Sequence, residues 1–190
     1  MQDPIQLFLQ WYQEASEKVK HPESMFLATA TKGGLPSLRT VLYRGLSQQS
    51  PRFFTNYQSR KGHELTDNPH AAILFYWEAL DRQVRFEGPI EQLSAEESDE
   101  YFQARPRGHR LNALASPQSQ PIESREVLLQ KQKQLEAQLE GHEVPRPSHW
   151  GGYRLVPNHI EFWIQKQDRF HQRQLFTKTI TGWETSILAP

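Results

Sequence analysis

The feature of this sequence that most restricts its fold is a succession of strand-length apolar segments separated by short turns, with helical texture only between or beside them. Residues 25–31 (MFLATAT) and 37–44 (SLRTVLYR) flank Lys32-Gly33-Gly34, a turn, and so read as a hairpin. Residues 52–56 (RFFTN) make a third strand, 71–77 a buried one and 82–93 a longer, alternating one. The final third returns to strands, one of them over 171–179. The total is about eight strands, and short turns favour antiparallel pairing. There is no regular βαβ series. The expected fold is mainly β (α+β): a closed or partly closed barrel of antiparallel strands with flanking helices.

Helical signals sit around these strands. Asp3 can cap free backbone N–H groups and Pro4 suits a first helical turn, so a helix is expected over 4–20, with Ile5, Phe8, Leu9, Tyr12 and Val19 on its apolar face. A short helix is expected over 59–67. Ser94 and Glu97 fit a capping box that opens another, closed by Pro106. Residues 107–122 read as irregular and as the best candidate for a site-forming loop. A polar helix over 123–140 ends at Gly141. A chain of 190 residues suits one domain, and no linker divides it, so 1–190 is read as a single unit.

Composition excludes several functions. Lys plus Arg and Asp plus Glu both number 22, which argues against a general nucleic-acid binder. The absence of cysteine removes disulfides, thiolate zinc sites and cysteine nucleophiles. The longest dense apolar stretch, 71–77, is far short of the roughly 20 residues needed to span a bilayer, and the expected location is cytoplasmic. Neither GxGxxG nor GxxxxGK[ST] is present. The stretch 63–67 (HELTD) starts like a zinc motif but ends in Asp, and reads as helix surface. The eight histidines lack paired spacing, so no metal site is expected.

Cations stand in places that invite an anion. Arg60 and Lys61 open a helix after a strand, where free N–H groups favour phosphate. Arg39 interrupts an apolar strand. Gln118 and Ser119 could donate to an anion or could be loop polarity. Arg169, His171 and Arg173 alternate, so an extended segment would put all three on one side, where they repel unless an anion is present. Each feature also has a plain reading as solvated surface.

The ordered set of motifs resembles the pyridoxamine 5'-phosphate oxidase family. The residues that carry it are Arg39 to Arg44 (RTVLYR), Phe54-Thr55-Asn56, Ser59-Arg60-Lys61, Arg82-Gln83-Val84, Tyr101-Phe102, Arg105-Pro106-Arg107, Gln118-Ser119, 147–154 (PSHWGGYR), Ile160 to Trp163, 168–173 (DRFHQR) and the terminal Leu188-Ala189-Pro190. The resemblance implies an FMN-binding split barrel working as a homodimer, with FMN at the subunit interface. It implies oxidation of pyridoxamine or pyridoxine 5'-phosphate to pyridoxal 5'-phosphate, with dioxygen as acceptor and hydrogen peroxide as product. It places Arg39, Thr40, Val41, Leu42, Tyr43, Arg44, Phe54, Thr55, Arg60, Lys61, Gln83, Gln118, Ser119, Trp163 and Arg173 around FMN. It places Arg44, Tyr101, Arg105 and His109 at the substrate phosphate, and Arg169 and His171 over the substrate ring as catalytic residues. This chain departs from the usual pattern in carrying Arg44 for Lys, His109 for Ser, and Leu-Asn-Ala-Leu at 111–114. A non-oxidase flavin- or pyridoxal-phosphate-binding protein, or a flavin reductase, on the same barrel stands as the alternative.

Overall fold

A computed structural model describes residues 3–190. In chain order, its helices are α1 (Pro4–Lys18), α2 (Arg60–Asp67), α3 (Ala95–Ala104), α4 (Arg107–Ala115) and α5 (Arg125–Gln138). Its strands are β1 (Ser24–Ala30), β2 (Pro36–Leu42), β3 (Leu46–Ser47), β4 (Ser50–Asn56), β5 (His70–Trp77), β6 (Arg82–Gln92), β7 (Trp150–Leu155), β8 (His159–Ile164), β9 (Gln172–Thr179) and β10 (Gly182–Leu188). Every strand pair is antiparallel. The main order is β10-β9-β8-β6-β5-β1-β2.

The long strand β6 makes the barrel. Along Arg82–Glu87 it pairs with β8, and at Ile90–Gln92 it changes partner to β7, which also pairs with β4. One strand thus belongs to two sheet surfaces, and the sheet curls into a half-barrel. Gly88 lies at the change of partner. A Cβ there would sit 2.1 Å from the Val156 carbonyl oxygen, so only glycine permits this approach.

The core fills the concave side. Phe8 of α1 packs on Tyr43, Phe75 and Phe86 at centroid distances of 5.0–5.6 Å, in edge and tilted contacts that suit aromatic quadrupoles. Asp3 Oδ1 accepts from the Ile5 N–H at 2.8 Å and caps α1 as expected. The buried face of that helix is Ile5, Phe8, Trp11 and Ala15, whereas Leu9, assigned to it from spacing, is exposed. A second cluster, Phe102, Leu111, Val144 and Trp150, seats α3 and α4 against the mouth of the barrel.

Three expectations need correction. Residues 107–115 are helical: Leu111 and Ala115, one turn apart, are buried, and this packing outweighs the Gly and Pro signals around them. The two-residue strand β3 was not foreseen, because Gln48 and Gln49 both adopt positive φ in the β3–β4 turn, where Asn or Gly is the usual signature. Residues 167–169 form a 3-10 turn, with Asp168 and Arg169 at φ 53° and 62°. Arg169 is therefore not in one extended segment with His171 and Arg173, and the shared-side argument fails for it. Among the described residues, no helix is long and apolar enough to cross a membrane.

Candidate active site

The largest gathering of the expected residues is a cleft of about 520 Å³ at the barrel mouth. The end of β2 contributes Arg39, Thr40, Val41 and Leu42, with Arg44 just beyond it. Phe54 and Thr55 come from β4, Lys61 from α2, and Tyr101, Arg105 and His109 from α3 and the chain following it; Gln118 closes one side. Phe54, Tyr101 and Trp150 are near-parallel, with Phe54 3.8 Å from Tyr101 and 5.6 Å from Trp150. Arg105 lies with its guanidinium carbon 4.6 Å from the Trp150 ring centroid. These rings form an apolar plate beside a cationic wall.

Two of the cations are held at a cost that an anion would offset. Lys61 is buried, and burial, followed by the charge of Arg39, lowers its pKa to about 8, against the raising effect of Glu64. Its ammonium donates to Thr55 Oγ1 at 3.0 Å, to the N-cap Ser59 Oγ at 3.2 Å and to Gln118 Oε1 at 3.4 Å. All three partners are neutral, so none balances its charge. Burial also lowers the pKa of Arg105, opposed by Tyr101 and assisted by Arg44. Its Nη1 is buried with no hydrogen-bond partner among the described residues. A buried, unpaired guanidinium nitrogen in a cleft is chemically incomplete and suits an oxyanion.

Other expected residues lie elsewhere in the chain. Arg60 and Ser119 line an adjoining cleft, separated from the first by the Arg39–Glu64–Arg60 contacts. Gln83, Trp163, His171 and Arg173 line another on the outer face of β6, β8 and β9. His171 packs on Trp163 at 4.7 Å, and its Nδ1 accepts the Lys166 N–H at 3.3 Å, which leaves Nε2 to donate. Arg169 is exposed in its turn. Tyr43 faces inward, with its ring in the core and burial raising its pKa far above the usual phenol range, so its side chain does not line the cleft.

Two acids that carried no assignment organise these cations. Glu64, helix surface by its sequence, is buried, and its carboxylate meets Arg60 Nε at 2.9 Å, Arg39 Nη2 at 3.2 Å, and the Thr29 and Ser37 hydroxyls. Burial alone would raise its pKa, but the hydrogen bonds from Ser37, Thr29, Arg60 and Arg39 hold it down at about 2. The i, i+4 spacing of Arg60 and Glu64 was the available signal. Glu161, equally buried on β8, binds Arg173 Nε at 2.7 Å and Arg85 Nη2 at 2.5 Å. It lies within the Ile160 to Trp163 motif, but its ion pairs have no local sign in the sequence, because Arg85 and Arg173 are distant along the chain.

An antiparallel half-barrel with helices packed at its mouth around a cationic, aromatic-backed cleft defines a split-barrel protein. The profile described as pyridoxamine 5'-phosphate oxidase matches residues 12–139, and that of the pyridoxine 5'-phosphate oxidase C-terminal dimerisation region matches 150–190. Proteins named pyridoxine/pyridoxamine 5'-phosphate oxidase from Burkholderia vietnamiensis and Burkholderia thailandensis are each 50% identical over 99% of this chain and 89% of their own length. The crystal structure of PhzG from Burkholderia lata 383, in complex with tetrahydrophenazine-1-carboxylic acid, aligns at a TM-score of 0.93 and 33% identity, over 99% of this chain and 93% of that one. A pyridoxamine 5'-phosphate oxidase-related, FMN binding protein from Nostoc punctiforme shares the fold at a TM-score of 0.79 and 17% identity, over the full length of both chains. The chain belongs to the pyridoxamine 5'-phosphate oxidase family and is an oxidoreductase of that family.

Proposed function

We propose that this chain binds FMN and oxidises pyridoxamine 5'-phosphate or pyridoxine 5'-phosphate to pyridoxal 5'-phosphate. The observation that carries the reading is the cleft itself, where Lys61 and Arg105, both desolvated cations in no ion pair among the described residues, line the same cleft as a stack of aromatic rings. Those donors fit a flat ligand bearing a phosphate. The relatives named for the same oxidase activity support it.

Lys61 and Arg60 at the α2 N-terminus, with Arg39, would hold the FMN phosphate; Arg44, Tyr101 and Arg105 would hold that of the substrate. Bound FMN would supply the two-electron acceptor, which dioxygen reoxidises with release of hydrogen peroxide. The chain's own part is orientation and charge. His171 would donate from Nε2 to the phenolic oxygen of the substrate ring, and Arg169 would stabilise negative charge there.

His171 and Arg173 do not line the cleft that holds Arg44 and Arg105. A homodimer reconciles them. The outer sheet face exposes Phe26, Leu38, Leu42 and Tyr76 beside Gln83 and Trp163, an apolar surface that a second copy would cover while bringing its own His171 to this cleft. The match of 150–190 to a dimerisation region supports this arrangement. Purified protein supplied with FMN is expected to release peroxide from pyridoxamine 5'-phosphate in air, and His171→Ala to keep its flavin while turning over slowly. Protein that takes up no FMN, or that leaves pyridoxamine 5'-phosphate unchanged, would refute the proposal.

A further inference from the structure

Glu64 lies in the wall between two clefts. Arg39 lines the first, together with Lys61; Arg60 and Glu64 itself line the second, with Ser119. One carboxylate therefore reaches a strand arginine through Oε2 and a helix arginine through Oε1. Thr29 and Ser37 complete the array: each hydroxyl accepts from Arg39 and donates to Glu64 Oε2. The result is a closed network tying β1, β2 and α2 together.

We infer that Glu64 is a positioning residue for phosphate binding, its buried carboxylate holding Arg39 and Arg60 so that the anion meets a cradle already formed. The inference rests on the assignment of the FMN phosphate to this end of the cleft. Arginine side chains have several rotatable bonds, and ordering them during binding would weaken affinity; a carboxylate that orders them beforehand removes that penalty. The same negative charge repels a phosphate. Positioning and repulsion thus have opposite signs, and the sign of the measured change separates them.

Lys61 supplies a second readout. It is faced by Arg39 from β2, by Glu64 from its own helix, and by the neutral Thr55, Ser59 and Gln118, while Arg44, Tyr101, Arg105 and His109 line the rest of the cleft. Glu64 is the group that raises the pKa of Lys61 against burial and Arg39. Its neutralisation should make Lys61 lose its proton at lower pH, and anion affinity should begin to fall at lower pH with it.

The test is titration of the flavin-free protein with FMN and with riboflavin, which lacks the phosphate, followed by flavin fluorescence across pH. The parent is expected to prefer FMN. Glu64→Gln is expected to weaken FMN by about tenfold or more, the scale of one charged hydrogen bond, to leave riboflavin unchanged, and to move the alkaline fall in FMN affinity to lower pH. An FMN preference in Glu64→Gln that equals or exceeds the parent's overturns the inference, since repulsion would then dominate or the residue would serve folding alone. If Glu64→Gln does not fold, Ser37→Ala, at a half-buried strand position, removes one bridging hydroxyl. It should shrink the FMN preference in the same direction, and an unchanged preference there overturns the inference equally. A parent with no preference for FMN over riboflavin instead overturns the phosphate assignment on which the inference rests.

Discussion

At the scale of single residues, the cleft is a set of charges kept short of partners. Burial, followed by the charge of Arg39, pushes the Lys61 pKa down to about 8, and a phosphate beside it would raise that value. Binding above pH 8 must then take up a proton, so FMN affinity should be steady just below pH 8 and fall as pH rises beyond it. Fluorescence titration across pH 7–10 measures this, and a flat profile would show that Lys61 does not meet the anion. Arg105→Gln should raise the KM for pyridoxamine 5'-phosphate about tenfold or more, because one charged hydrogen bond contributes roughly 1.5–3 kcal/mol. FMN affinity should change little, as steady-state kinetics and flavin titration on one preparation would show.

Among the elements, α2 decides where the cations stand. Its N-cap Ser59 is fully buried and accepts the Gly62 N–H at 3.3 Å. Gly62 is pressed against the chain before it: a Cβ would lie 2.0 Å from the Tyr57 carbonyl oxygen. Gly62→Ala must push the helix away from β4, and with it Arg60 and Lys61. Overpacking of this kind costs roughly 1–3 kcal/mol. The variant should melt earlier in calorimetry and also bind FMN more weakly. By contrast, Ser94→Ala removes the α3 cap, which bonds the Glu97 N–H at 3.1 Å far from Lys61, and should cost about 1 kcal/mol while sparing FMN affinity.

The whole molecule presents one broad uncovered face. Phe26, Leu38, Leu42 and Tyr76 lie on its β1, β2 and β5 part, and Gln83, Trp163 and Arg173 on its β6, β8 and β9 part. Leu38 is 65% exposed, so Leu38→Glu alters this face without disturbing the core. Sedimentation should show a dimer for the parent and a monomer for the variant. The variant should lose oxidase activity with the dimer, because His171 and the Arg105 cleft would no longer meet. A variant that stays dimeric and active would move the interface elsewhere.

What the sequence determined by itself is what depends on neighbours along the chain. Strand alternation, the Asp3 cap, the Ser94–Glu97 capping box and the Arg60–Lys61 helix start are all short-range patterns, and each is present in the structure. The half-barrel followed from many such strands joined by short turns. The order of motifs along the chain also carried the family, since eleven weak pieces in sequence are specific together. Tertiary structure alone decided what depends on distant partners. Helix α4 forms despite Gly108 within it and Pro106 and Pro117 beside it, because Leu111 finds a buried cluster to join and Ala115 is buried one turn on. Arg169 turns aside through two left-handed residues that spacing could not reveal. Glu64 looks like a surface acid, and Glu161 shows no partner nearby in the sequence, until the fold brings Arg39, Thr29 and Ser37 to one and Arg85 and Arg173 to the other. A buried charge is tolerated only where several donors converge, and that convergence exists only once distant strands and helices have packed.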